Sequence, residues 1–152
     1  MDRVVMFLGT QSYLRLGVGA LVLTYVLPTL LLWSLDGLGV IAGQRLRHVE
    51  AIEFEQLQLA LRFAIACVVG PFVETLCFQW GPLSLMPLQS AVQRLIALLC
   101  TAVAFGLMHT QSVGALISAT LTGIVFSVLC LTLIQTQRAA FGTVFVVHAL
   151  RN

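Results

Sequence analysis

Hydrophobic residues in this chain fall in long runs that are separated by short polar stretches. The runs cover residues 16–35, 59–80, 95–109, 113–134 and 139–148. An α-helix rises about 1.5 Å per residue, so about 20 apolar residues cross the roughly 30 Å hydrocarbon core of a bilayer. The pattern predicts an all-α fold, a polytopic transmembrane helix bundle with about five membrane segments.

The stretch between the first two runs, residues 36–58, is rich in glycine and charge. Apolar residues at Leu46, Val49 and Ile52 recur there at helical spacing. This pattern predicts an interfacial amphipathic helix, although a solvated connecting helix would fit it equally well. We interpret the first run as a retained helix that is kinked at Pro28. The chain is therefore predicted to be a single membrane domain, residues 1–152, with an N-terminal part (1–58) and a core (59–152).

Prolines and polar residues mark the predicted ends of the later helices. The pair Gly81-Pro82 and the nearby Pro87 predict that the second helix ends there. A hairpin turn centred on residues 88–94 would then bring the third helix back as far as His109. Further reversals are predicted at residues 110–112 and 135–138. The last run, 139–152, is shorter than a full span, which predicts either a C-terminal extension or a site that opens to water.

Composition supports the membrane interpretation and excludes other classes. The chain is 59% hydrophobic and 9% charged, with a mean hydropathy of +1.01, whereas soluble domains average roughly 45–50% apolar and 25% charged residues. Its eight basic residues are all arginine and are spread singly, so no basic patch suggests nucleic acid. The four cysteines lie in apolar runs without a C-x-x-C pair, which predicts neither a zinc knuckle nor a disulfide framework.

Four polar side chains within, at the end of or shortly after the hydrophobic runs are the candidate chemistry. Glu74 is the only acidic residue after Glu55, and a carboxylate in hydrocarbon costs roughly 2.5–3.5 kcal/mol on insertion scales. His109 and His148 are equally surrounded by apolar residues, and Asn152 follows His148 by one helical turn. Turned inward together, these groups supply a base and oxyanion donors for hydrolysis. Interhelical hydrogen bonding, or proton or ion transfer, would also account for them.

Three short motifs connect these residues. The chain has E-T-L-C-F-Q at 74–79, F-G-L-M-H at 105–109 and H-A-L-R-N at 148–152, and it lacks the H-E-x-x-H and G-x-S-x-G motifs. In order, spacing and apolar context the three resemble the E-E-x-x-x-R, F-x-x-x-H and H-x-x-x-N motifs of the CPBP family of intramembrane endopeptidases. This family, also called Abi, includes CAAX proteases and bacteriocin-processing enzymes. The resemblance covers residues 71–152 and makes 59–152 a CPBP-like core.

The resemblance implies a function and roles for the site residues. Glu74 and His109 would activate water, and His148 and Asn152 would stabilise the oxyanion, while the flanking motif residues Thr75, Phe78, Gln79 and Phe105 would support them. Members of the family have also been regarded as metalloproteases, so a divalent metal such as zinc, held by His109 and His148, is a candidate cofactor. The implied partners are the lipid bilayer and a peptide or protein substrate. The small size favours a bacterial inner-membrane protein.

The first motif departs from the family pattern at two positions. Thr75 stands where a second glutamate is usual, and Gln79 stands where arginine is usual. The paired change is consistent with replacement of an ion pair by a Thr–Gln hydrogen bond that leaves Glu74 working as a base. It is equally consistent with a divergent subfamily that has reduced or no proteolysis. The alternative function is therefore a non-catalytic membrane binding or bacteriocin-immunity protein that retains the fold.

Overall fold

The computed structural model describes residues 12–37 and 58–152, and within these ranges every regular element is helical. The predicted all-α bundle is confirmed. In these ranges three helices are long and apolar enough to cross a membrane, and two apolar helices are shorter. The predicted amphipathic helix lies almost wholly in residues 38–57, outside the described residues. The five helices of the described ranges are α1 (Tyr13–Gly37), α2 (Leu59–Leu85), α3 (Ala91–Leu107), α4 (Val113–Gln135) and α5 (Ala140–Arg151).

Helix α4 is the centre of the bundle. Of its most apolar stretch, 61% is buried inside the protein, against 22% for α1 and 11% for α2. A helix that is hydrophobic on all sides suits such a position, because every face meets another helix or lipid. Helices α1, α3 and α5 all pack against α4. Residues placed on the inner faces of α2, α3 and α5 therefore converge beside α4.

Small residues bring α3 and α4 into close contact. A Cβ atom added to Gly123 would lie 3.0 Å from the Cα of Ala102, and one added to Gly106 would overlap the Thr120 hydroxyl. Close approach through glycine is a common way for helices to pack in membranes. The contact at Gly106 fixes the last turn of α3, which directly precedes the turn with His109, against α4.

The predicted break at Gly81-Pro82 and Pro87 is confirmed only near Pro87, because α2 continues through Gly81-Pro82 and ends at Leu85. Two π-helical turns, Ile65–Val69 and Thr75–Trp80, each come directly before a Gly-Pro pair. A π turn closes its hydrogen bonds over five residues instead of four. This wider turn moves the preceding carbonyls away from the proline ring, and so it removes the clash that normally breaks a helix at proline.

Gly81 makes the second of these turns possible. Its N–H donates to the carbonyl of Leu76, five residues back. A Cβ atom at position 81 would lie only 2.5 Å from that carbonyl oxygen. A glycine is therefore required at this point of the helix, and the Gly-Pro pair acts here as part of a π turn.

The remaining helix ends agree with the sequence to within a few residues. Ser90 caps α3 through reciprocal hydrogen bonds with Gln93, so the helix resumes where the polar residues predicted. The turn before it occupies residues 86–90, slightly earlier than the predicted centre. Helix α3 ends at Leu107 and not at His109, which lies in the following turn. The reversals predicted at 110–112 and 135–138 are confirmed.

Candidate active site

The inner face of α2 is formed by residues four positions apart. Pro71, Thr75, Gln79 and Leu83 are all buried. In a regular helix of 3.6 residues per turn, positions four apart drift around the axis. The wider π turns reduce this drift and keep the four residues in line. Glu74, near the middle of the 27-residue helix, lies beside this line and is half-buried.

His148 of α5 contacts two neighbouring residues of α2. Its Nδ1 is 3.2 Å from the Oγ1 of Thr75, and its Nε2 is 3.3 Å from the Oε2 of Glu74. The imidazole is 1% exposed, whereas the Glu74 side chain is 26% exposed. The Glu74 contact has the distance of an ion pair, yet Oε2 has no aligned hydrogen-bond donor. This carboxylate oxygen therefore keeps an unused acceptor position next to His148.

The surroundings of His148 restrict both its proton and its orientation. A carboxylate oxygen only accepts hydrogen bonds, so the Nε2 that faces Glu74 is assigned the proton. The Thr75 hydroxyl then donates to Nδ1 in the neutral ring or accepts from it in the imidazolium. The rings of Phe105 and Phe126 lie 5.4 and 4.7 Å from the imidazole centre. These contacts together hold the ring in one orientation.

A cavity of about 170 Å³ opens beside His148. Three of the four predicted catalytic residues line it, namely His109, His148 and Asn152. Glu74 is not among the lining residues and contacts the site through the Nε2 of His148. The structure therefore brings Glu74 to His148, and it brings both histidines to one cavity. The remaining lining residues are Phe105, Ala115, Ser118, Ala119, Thr122 and Arg151.

His109 lies in the turn after α3, and its Nε2 has a lone pair that makes no hydrogen bond within the described residues. Its Nδ1 is 3.0 Å from the carbonyl oxygen of Phe105, and a carbonyl only accepts, so Nδ1 carries the proton. In the neutral ring Nε2 is then unprotonated and can accept a proton. The Phe105 ring also lies 4.9 Å from the imidazole centre. The F-x-x-x-H spacing thus lets one residue orient the histidine with both its carbonyl and its ring.

Asn152 is attached to α2 by a carbonyl that a π turn leaves free. Its Nδ2 donates to the Ala66 carbonyl at 2.9 Å. The N–H of Gly70, which would bond Ala66 in a regular helix, instead bonds Ile65. Five residues beyond Ala66 stands Pro71, which has no N–H. The Asn152 amide therefore anchors α5 to α2 with one N–H and retains a second donor.

The other residues of the motifs have different environments. Gln79 is fully buried, and both polar atoms of its side chain lack a hydrogen-bond partner within the described residues. The Thr75–Gln79 hydrogen bond considered above is therefore not formed, because the Thr75 hydroxyl bonds His148 instead. The Phe78 ring lies 6.4 Å from that of Phe105 and packs against the core.

The donor set in the described part of the chain does not fit a protein-bound zinc. Catalytic zinc sites use three protein ligands, and residues 12–37 and 58–152 contain no group of three or more histidine, cysteine or acidic side chains arranged to hold a metal. Both ring nitrogens of His148 already face protein partners. The proposed pairing of His109 and His148 around a metal would therefore need His148 to give up a contact. We derive no chemical step through a metal.

Sequence reasoning did not identify three further residues at this site. Arg151 and Thr122 line the cavity, and Phe126 packs on the His148 ring. Arg151 carries a recognisable signal, since it is a cation inside an apolar helix next to Asn152. Thr122 and Phe126 carry none, because a threonine and a phenylalanine are ordinary in an apolar helix such as α4.

We expect Thr75→Val to loosen His148 while leaving the rest of the core filled. Valine has nearly the shape of threonine but cannot bond Nδ1, so the loss should be about 0.5–1.5 kcal/mol of folding free energy. The measurement is the free energy of unfolding in detergent. Thr75→Ser keeps the hydroxyl and should retain that hydrogen bond. Equal stability of the valine variant and wild type would contradict the role given to Thr75.

The region that carries this site also matches a known protein family. The family model described as Type II CAAX prenyl endopeptidase Rce1-like matches residues 56–152. The match covers more than half of the chain and includes α2 to α5 with all four predicted catalytic residues. Neither a curated protein nor a solved structure matches the chain.

Proposed function

The chain belongs to the Rce1-like family of type II CAAX prenyl endopeptidases, a family of intramembrane proteases, and on this premise we propose that it hydrolyses peptide bonds of membrane-associated peptides or proteins. The observation that carries the proposal is the contact of Glu74 with His148, at 3.3 Å, next to a cavity lined by His109 and Asn152. We also propose that the protein is located in the cell membrane and that the whole chain forms one membrane domain.

In the proposed reaction His109 and Glu74 activate the attacking water. The unprotonated Nε2 of His109 accepts a proton from water in the cavity, and the negative charge of Glu74, which contacts the cavity residue His148, assists the loss of that proton. The water oxygen then bonds the peptide carbonyl carbon, whose oxygen becomes negatively charged. Support for these roles comes from the hydrogen bond of His109 to Phe105, which leaves Nε2 as the basic nitrogen.

His148 and Asn152 stabilise the oxyanion in this proposal. Asn152 has one N–H left after its bond to Ala66. The Nε2–H of His148, which faces Glu74 in the structure, would turn from that contact to donate to the oxyanion. Donors placed where negative charge develops are among the largest contributions to catalysis. When the carbon–nitrogen bond breaks, the proton held by His109 passes to the leaving amine. His109 is thereby returned to its starting state.

Incubation of the purified protein in lipid nanodiscs with a peptide library tests the proposal. Mass spectrometry should reveal cleavage at a defined bond, and His109→Gln should lower the rate at that bond by about 10²-fold or more. Glutamine can keep the hydrogen bond to Phe105 but offers no basic nitrogen. If the wild type cleaves no peptide, or if His109→Gln cleaves at the same rate, the assignment is wrong. The first outcome would favour a non-catalytic binding protein.

A further inference from the structure

Arg151 lies at the cavity and is held there by α1. It belongs to the last turn of α5, between His148 and Asn152. The hydroxyl of Tyr25 donates to the Arg151 carbonyl at 2.8 Å. The guanidinium carbon lies 5.8 Å from the centre of the same tyrosine ring. One residue of α1 thus contacts both the backbone and the head group of Arg151.

The positive charge of Arg151 has no acidic side chain as a partner within residues 12–37 and 58–152. The acidic residues in these ranges are Asp36 and Glu74, and Glu74 contacts His148. The Nε of Arg151 is buried and has no hydrogen-bond partner. A cation at a helix C-terminus interacts favourably with the helix dipole. That interaction does not satisfy a buried N–H, which is costly to leave unpaired.

We infer that Arg151 is a specificity-determining residue whose guanidinium binds a carboxylate of the substrate inside the cavity. The planar fork of a guanidinium matches the two oxygens of a carboxylate. Thr122 supports the cavity as a polar binding site, since its buried hydroxyl oxygen also lacks a partner. The carboxylate comes either from the C-terminus of the substrate or from an acidic side chain. This inference rests on the proposed function.

Matched peptides show whether the carboxylate comes from the C-terminus of the substrate or from an acidic side chain. The probes are the best-binding library peptide as free acid, its C-terminal amide, and a version with each acidic side chain changed to its amide. Binding is measured to full-length Glu74→Gln protein in nanodiscs, so the readout does not require cleavage. We expect one of the two amide forms to bind about tenfold weaker or more than the acid. The form that weakens identifies the source.

The same measurement in Arg151 variants tests the residue. The difference in affinity between the acid and amide peptides should vanish in Arg151→Gln. It should be reduced in Arg151→Lys, which keeps the charge but loses the planar fork of the guanidinium. Arg138→Gln is the matched control, because Arg138 also lies over a tyrosine, Tyr13, at 5.2 Å, and it should leave the discrimination intact. Equal binding of all forms, or discrimination that persists in Arg151→Gln, overturns the inference. If Arg151→Gln does not fold, unchanged discrimination in Arg151→Lys overturns it.

Failure of the proposed function remains distinguishable from failure of this inference. If the protein binds the acid form preferentially through Arg151 but cleaves no peptide, the carboxylate site is supported and the proposed catalytic function is wrong. If the protein cleaves the acid and amide forms equally well, the proposed catalytic function is supported and the role of Arg151 is wrong.

Discussion

Glu74→Gln is expected to lower the rate of peptide hydrolysis by about 10²–10⁴-fold. Glutamine has the size of glutamate and can still contact His148. It carries no negative charge, however, and so it cannot assist the loss of a proton from water in the cavity. The measurement is the initial rate of cleavage of the library peptide by purified protein in nanodiscs.

Asp36→Asn is the matched control for this loss. Asp36 is the other acidic residue in the described part of the chain, and it lies near the C-terminal end of α1. The same change of charge at this position should leave the cleavage rate near that of wild type. Equal losses in both variants would mean that net charge, and not the position of Glu74, determines the rate.

Gly106→Ala is expected to destabilise the bundle by about 1–3 kcal/mol, the usual cost of overpacking. The new methyl group would overlap the Thr120 hydroxyl and lie 3.2 Å from the Leu116 carbonyl oxygen. Helices α3 and α4 would have to move apart where Gly106 contacts Thr120. The free energy of unfolding in detergent measures the effect.

Two further variants show whether the contact is the cause. A Cβ at Gly142 of α5 would meet nothing within 4 Å, so Gly142→Ala should leave stability unchanged or raise it by about 0.5–1 kcal/mol. Thr120→Ala, combined with Gly106→Ala, removes the overlapping hydroxyl and should recover part of the loss. Unchanged stability of Gly106→Ala alone would show that the two helices are not packed as described.

Much of the fold could be predicted because a membrane limits the alternatives. Long apolar runs can only be helices there, since their backbone groups must bond within the segment. The end of α2 could not be predicted from Gly81-Pro82. Proline usually stops a helix, and only the π turn before it, closed by Gly81 and Leu76, lets this one continue. That turn depends on hydrogen bonding that the residue pattern does not show.

The sequence could propose the residues of the candidate site, but it could not define their contacts. Spacing placed Asn152 one turn after His148, and both line the cavity with His109. Both histidines were candidate partners of Glu74, and the structure places its Oε2 next to His148. Sequence spacing relates residues on one helix, and it cannot define the rotation of α2 against α5. Thr75 illustrates the same limit, since its departure from the family motif provides a hydroxyl for His148.

The most direct test of a hydrolytic site at Glu74 measures binding and cleavage of one peptide in the same nanodisc preparation. The proposed role predicts that Glu74→Gln binds the peptide as tightly as wild type, within about threefold, yet cleaves it at least about 10² times more slowly. Cleavage by Glu74→Gln at the wild-type rate would contradict the assignment of Glu74 as a water-activating residue.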